Sequence, residues 1–222
     1  MTITRAAVCR EPGRPWELVD LELDDPRARE VRVRFRASGL CHSDDHVRSG
    51  TAEMRAPFVG GHEGSGIVEA VGPGVSRVAV GDHVLCSFIP VCGHCRYCAT
   101  GRQNLCDAGA DLANGRLRDG TFRFHLGDQD VGGFCGLGTF SERAVIAEES
   151  CIRVPPDLPP EVAAVLGCAV PTGWGSATRL AGVRAGQTVV VFGCGGVGAN
   201  AVQAAAAAAS RLNGTGATTT TL

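Results

Sequence analysis

Four cysteines fall within fifteen residues: Cys92, Cys95, Cys98 and Cys106, spaced C-x2-C-x2-C-x7-C. Thiolates separated by two residues can turn inward on one soft cation. Four sulfurs at about 2.3 Å make a closed tetrahedral zinc site. A closed site leaves no open position for a substrate, so the expected role is structural: the metal holds a loop. His94 lies inside the run and can replace one thiolate, although the four sulfurs suffice.

A second set is more dispersed. Cys41-His42-Ser43-Asp44-Asp45-His46 is followed by Gly60-Gly61-His62-Glu63-Gly64-Ser65-Gly66, and later by Gly167-Cys168-Ala169. Cys41, His62 and Cys168 form a candidate catalytic zinc set. Three protein ligands with a fourth position open is the catalytic geometry, and two cysteines with one histidine is a known combination. Spacing leaves an alternative open, in which the cysteines are small buried apolar residues and His62 is a turn histidine.

The third constellation is Gly193-Cys194-Gly195-Gly196-Val197-Gly198, which fits G-x-G-x-x-G. The motif carries weight only after a strand and before a helix. Here Thr188-Val189-Val190-Val191-Phe192 precedes it, a continuous apolar run of the kind buried on both faces of a parallel sheet. A helical pattern follows from Val197. The first glycine permits a tight turn, the second lets backbone approach a pyrophosphate, and the third lets helix pack on strand. The helix N-terminus then faces the phosphates. The plain alternative is a glycine turn without a ligand. One part of the fingerprint is absent: an acidic residue about 20 positions on should hold the ribose, and no Asp or Glu follows Glu161.

The elements that must position these residues read as β-rich at first. Glu17–Leu23 and Val31–Phe35 alternate as half-buried strands do. Residues 66–72 read as a short strand between glycines, and residues 81–85 as a turn feeding another. Many short strands punctuated by Gly and Pro suggest a folded-over barrel. Residues 106–138 are polar and irregular, too long for a structureless loop unless functional or built from short elements. Residues 140–146 resume a strand pattern, four prolines stiffen 155–160, and a helix begins near Glu161. Residues 204–209 are all alanine, good helix formers with little surface to bury. The ending from Asn213 to Leu222 is low-complexity and reads as disordered.

Bulk properties exclude several classes. The 222 residues suffice for one large or two small domains at roughly 150 residues each. Apolar residues at 44% and charged residues at 20% support a core. A net charge of −2 gives no footprint for nucleic acid or an anionic membrane. All 21 basic residues are Arg, which removes a catalytic lysine. No apolar run reaches the roughly 18 residues of a membrane helix. Eleven cysteines could form a disulfide framework, but the count is odd, the start MTITRAAVCREPG has no apolar signal core, and C-x2-C spacing suits a metal. A reducing cytoplasm is expected.

Gly61-His62-Glu63-x2-Gly66-x5-Gly72-x2-Val75 resembles the zinc signature of medium-chain zinc-dependent alcohol dehydrogenases. Cys41-His42-Ser43-Asp44, the four-cysteine run, Gly167-Cys168 and the glycine turn follow in that family's order, so the resemblance covers Arg5 to about Ala205. The wording of residues 86–90, 101–106 and 171–175 is similar to the actinobacterial, NDMA-dependent nicotinoprotein branch, whose members keep NAD bound and regenerate it with an external acceptor. The resemblance implies a fold: a GroES-like β-rich catalytic domain over residues 1–160, then a linker helix and the first βα unit of an incomplete Rossmann domain over 161–210, with 211–222 a tail.

It also implies roles. Cys41, His62 and Cys168 would hold a catalytic zinc, with Glu63 beside it tuning the metal. Ser43 would take the alcohol proton and His46 would pass it to solvent. His42 would lie near the cofactor pyrophosphate, where many relatives carry Arg. Thr172 would support the nicotinamide, and Gly193, Gly195, Gly196, Val197 and Gly198 the phosphates. Cys92, Cys95, Cys98 and Cys106 would hold a structural zinc, making two zinc ions and one NAD. The implied reaction moves hydride from a zinc-bound alcohol to NAD, giving an aldehyde or ketone. A glutathione-dependent formaldehyde dehydrogenase is the alternative enzyme within the family. The partner is a small-molecule alcohol or aldehyde, not nucleic acid or membrane; full-length relatives are homo-oligomeric. Relatives continue through a complete dinucleotide domain, so this chain is expected to be a truncated, inactive piece, with a frameshift near Ala205 as one explanation. The other class left open is a zinc-binding fragment without catalysis.

Overall fold

The computed structural model describes residues 2–110 and 112–210. The expected tail at 211–222 lies outside the described residues. The chain divides after Gly167 into two compact units.

The first unit is built from β-strands that follow the period-2 pattern of the sequence. Its elements are β1 (Thr2–Cys9), β2 (Glu17–Leu23), β3 (Glu30–Ser38), α1 (His42–Ser49), β4 (Phe58–Val59), β5 (Gly64–Val71), β6 (His83–Cys86), α2 (Arg96–Ala99), β7 (Phe124–Leu126), β8 (Gln129–Gly133), β9 (Arg143–Ala147), β10 (Cys151–Arg153) and α3 (Pro160–Val165). Strands β1, β2, β7, β8 and β4 close into a barrel, and β10-β6-β5-β3-β9 form a second sheet. Neighbours are antiparallel apart from β4 with β8.

The core lies where inward positions of both sheets meet. On β3, Val31 and Val33 are fully buried, while Arg32 and Arg34 are half-buried. Val8, Leu21, Val68 and Ile146 join the same cluster. Each such side chain contributes about 1.5–3 kcal/mol on burial. The half-buried arginines share a carboxylate across strands: Arg34 and Arg143 each place Nε 2.9 Å from Glu69. A smaller cluster holds α1. Val47 packs with Phe58 and Cys9, and Trp16 meets the Phe58 ring edge-on at 5.8 Å.

Residues 107–138 carry their own short elements. Single 3-10 turns lie at Asp107–Gly109, Leu112–Asn114 and Phe134–Gly136, and β7 and β8 make a hairpin. A buried ion pair ties the segment down: Arg123 donates from Nε to Glu30 Oε2 at 2.8 Å, and from Nη2 to Asp119 at 2.6 Å. Arg123 and Glu30 are 2% and 6% exposed. Neither charge is left alone, and that is the condition for burying one.

In the second unit, α4 (Ala169–Gly175) runs into a π turn at Ser176–Leu180, and α5 spans Gly196–Ser210. Ala177, Ala204 and Ala205 make a small core with Val183 beside it. The strand expected at 188–192 does not form a ladder; those residues carry no strand or helix assignment. Val190 and Phe192 are 70% and 95% exposed. A parallel strand exists through bonds to its neighbours, and none lies beside this segment among the described residues.

Candidate metal centres

The first centre is organised by the start of α1. Cys41 stands just before the helix with extended φ and ψ of −108° and 147°. Its N–H donates to Asp44 Oδ2 at 3.1 Å, which closes the first turn. The other oxygen, Oδ1, accepts the Gly61 N–H at 3.0 Å and lies 3.2 Å from His62 Nδ1. A carboxylate accepts only, so Nδ1 carries the proton and Nε2 keeps its lone pair. That is the tautomer a metal needs. Gly61 makes the bend possible: its φ is +86°, and a Cβ there would lie 2.4 Å from Thr139 Oγ1.

The His62 ring is 3% exposed and clasped by two aromatic edges. Phe134 lies at 5.2 Å and Phe88 at 5.9 Å, both nearly perpendicular. Glu63 is equally buried; its carbonyl accepts from the Gly39 N–H at 2.8 Å and the Ser38 hydroxyl at 3.0 Å. As a result a Cys41 sulfur, a His62 ring nitrogen and a Glu63 carboxylate oxygen fall within 4.8 Å of one another. Cys168 is buried and opens α4, as the first residue of the second unit.

His42, Ser43 and His46 project from exposed positions of α1. The two imidazoles meet edge-on with centroids 4.7 Å apart.

The second centre is the four-cysteine lobe around α2. All four sulfurs lie within 4.8 Å of one another. Cys92 to Cys98 and Cys95 to Cys106 are each separated by 3.9 Å between sulfurs. A tetrahedron with zinc–sulfur bonds of about 2.3 Å has edges of about 3.8 Å, so the donor set fits zinc. Backbone N–H groups support the sulfurs: Cys95 donates to Cys92 at 3.4 Å and Cys98 to Cys95 at 3.5 Å. The Asp107 and Cys98 N–H groups bring the Cys95 thiol down to about 6. Desolvation pushes Cys98 up to about 12. His94 turns away and bonds the Cys92 carbonyl through Nδ1 at 3.1 Å.

The remaining cysteines are unbridged and differ in kind. Cys86 and Cys151 face each other across β6 and β10, and burial raises both thiols, Cys86 to about 12. Cys135 has φ of +56°, and burial, then the charges of Asp44 and Cys41, push it to about 12. Cys9 is buried and Cys194 exposed.

The alcohol dehydrogenase GroES-like domain matches residues 27–156. The chain belongs to the zinc-type alcohol dehydrogenase family. It is 58% identical over 203 residues to the NDMA-dependent alcohol dehydrogenase of Amycolatopsis methanolica, a match covering 91% of this chain and 55% of that one. It is 56% identical over 205 residues to the putative alcohol dehydrogenase D of Mycobacterium tuberculosis, covering 92% and 56%. Among solved structures, the alcohol dehydrogenase zinc-binding domain protein of Burkholderia ambifaria superposes with a TM-score of 0.86 at 38% identity, over 93% of this chain and 56% of that one. Benzyl alcohol dehydrogenase of Acinetobacter calcoaceticus gives 0.85 at 34%, over 94% and 56%. The chain thus spans about half the length of the curated relatives it matches.

Sequence reading overlooked Asp44 as the residue that orients His62, and the two phenylalanines that clasp the ring. Asp44 stood three residues after Cys41, the spacing of a helix-capping carboxylate. Its second oxygen reaching the next motif was visible only after folding. In the second unit, Gly193 has φ of +90° and Gly196 opens α5. A Cβ on Gly198 would sit 1.9 Å from the Gly193 carbonyl oxygen, so the turn closes tightly on its helix. Thr172 is exposed on α4. No described helix is long and apolar enough to cross a membrane.

Proposed function

We propose that this chain carries the zinc-binding half of an alcohol dehydrogenase that moves hydride between a small alcohol and NAD, forming an aldehyde or ketone. The observation that carries the reading is His62, fixed by Asp44 with Nε2 free, packed against the Cys41 sulfur. Cys41, His62 and Cys168 hold the catalytic zinc, with Glu63 tuning it. Zinc, when bound, lowers the pKa of a coordinated hydroxyl, and NAD accepts the hydride. Ser43 takes the proton of the alcohol hydroxyl, and His46 passes it to solvent from its exposed place on α1. His42 reaches toward the cofactor pyrophosphate. Thr172 supports the nicotinamide; Gly193, Gly195, Gly196, Val197 and Gly198 receive the phosphates through backbone N–H groups. Cys92, Cys95, Cys98 and Cys106 hold a second, structural zinc.

Relatives named as NDMA-dependent and as S-(hydroxymethyl)glutathione dehydrogenases supply the two substrate readings, and the higher identity of the former, 58% against 42%, favours it. Eleven unbridged cysteines fit the reducing cytoplasm. Within these 222 residues no Asp or Glu follows Glu161, so the ribose contact of the dinucleotide fingerprint is not supplied by the residues at hand. Zinc content of the purified chain tests the metal assignment. Two equivalents are expected, falling to one in His62→Ala with the lobe still loaded. An unchanged stoichiometry in that variant sinks the first centre. NAD titration with alcohol oxidation tests the rest, and measurable turnover by the isolated chain overturns the expected inactivity.

A further inference from the structure

Two cysteines outside both metal centres stand directly opposite each other. Strands β10 and β6 pair antiparallel, with Cys151 against Cys86, Ile152 against Leu85 and Arg153 against Val84. The flanking hydrogen bonds fix which kind of pair the cysteines make. The Ser87 N–H donates to the Ser150 carbonyl at 2.8 Å, and the Val154 N–H to the His83 carbonyl at 2.9 Å. Bonded and non-bonded pairs alternate along an antiparallel ladder. Ser87–Ser150 is a bonded pair, so Cys86–Cys151 beside it is a non-bonded one, and His83–Val154 three positions further on agrees. Such pairs bring Cα atoms to about 4.5 Å, with both side chains on one face. A disulfide spans Cα separations of about 4.4–6.8 Å.

The shared face is the inner one. Cys86 and Cys151 are both buried in the main core cluster, together with Val84 and Ile146. Ile152, the next residue of β10, is 48% exposed, as alternation requires when Cys151 faces inward. Both thiols are unbridged. Burial, then the nearness of Cys86, raises the Cys151 thiol. A thiol held protonated is a slow nucleophile, so the pair is inert while β10 stays in place. That strand is three residues long, lies at the edge of its sheet and pairs with β6. Short edge elements open locally at low free-energy cost, which gives a small oxidant a way in.

We propose that Cys86 and Cys151 form a redox site, at which hydrogen peroxide converts the two thiols into a cross-strand disulfide. One thiol attacks the peroxide, becomes a sulfenic acid and releases water. The second sulfur displaces the hydroxyl as another water, and the S–S bond forms. The two thiols together lose two electrons, and the peroxide is reduced to two waters. The bond closes a covalent loop over residues 87–150, which include the four-cysteine lobe and Phe134, the ring packed on His62. It pins β10 to β6 and restricts the unfolded chain. The site is separate from the hydride-transfer reading and does not require turnover.

The test treats the zinc-loaded chain with hydrogen peroxide until the exposed Cys194 is fully oxidised. Remaining thiols are then alkylated in denaturant, and the peptides are mapped by mass spectrometry with and without dithiothreitol. The expected product is Cys86 joined to Cys151, lighter by two hydrogens, separated by dithiothreitol and formed with the lobe zinc retained. The melting temperature should rise by roughly 5–10 °C on oxidation and return on reduction. Cys86→Ala and Cys151→Ala should each leave the other cysteine open to alkylation and abolish the shift. The bond map of the unaltered chain decides the matter if either variant fails to fold. Full alkylation of both cysteines, a bridge from either one to a different partner, a sulfinic acid on one alone, or a link that lowers the melting temperature overturns the proposal. The pair would then be two small apolar neighbours in a core.

Discussion

Asp44 does at the scale of one residue what the metal ligands cannot do for themselves. One carboxylate takes three N–H donors: Cys41 backbone, Gly61 backbone and His62 ring. It therefore closes α1, sets the bend before His62 and selects the imidazole tautomer. Asp44→Asn keeps the shape but cannot accept all three bonds. Zinc affinity at the first centre is expected to fall about 10–100-fold, the usual cost of removing such a partner, with the lobe zinc retained. Competition with a chelator, read separately for the two metals, checks this; equal loss from both centres would point to general unfolding instead. The ligand types were legible in the sequence because cysteine, histidine and their spacing carry chemistry directly. The partner was not, because a hydrogen bond across 18 residues depends on where two loops end up.

At the scale of elements, the lobe around α2 is set by local geometry. Two-residue spacers put backbone N–H groups onto the sulfurs. The thiols divide accordingly, Cys95 near 6 and Cys98 near 12. The N–H groups favour Cys95 as thiolate and desolvation favours Cys98 as thiol, so binding zinc through four thiolates releases the Cys98 proton. Affinity should fall as pH drops, and more steeply below about 6, where Cys95 also takes up a proton. Zinc competition between pH values of about 5.5 and 8, with proton release followed by an indicator dye, measures it; a flat profile would contradict this division. The strands were legible for a similar reason. Alternation on β2 and β3 is a local signal, and those elements formed where it lay. The apolar run at 188–192 carried as strong a signal without forming a ladder, since its partners must come from elsewhere.

Over the whole molecule the two units differ in how well they cover themselves. The first buries Phe58, Leu21 and Ile146 completely. The second leaves Phe192 at 95% and Val190 at 70% exposure, and exposed apolar residues of this size promote association. Phe192→Ser should change stability by no more than about 0.5 kcal/mol, as surface substitutions do, and should reduce light scattering on heating. A marked fall in melting temperature would show that Phe192 packs in solution. The sequence alone determined the chemistry: a closed thiolate site, a second candidate ligand set, a glycine turn and alternating strands, since each is written in residue type and short spacing. Only the tertiary structure decided that Asp44 serves His62 and that Arg123 is buried against Glu30. Those relations join residues far apart in the chain, and folding alone fixes the distances between them.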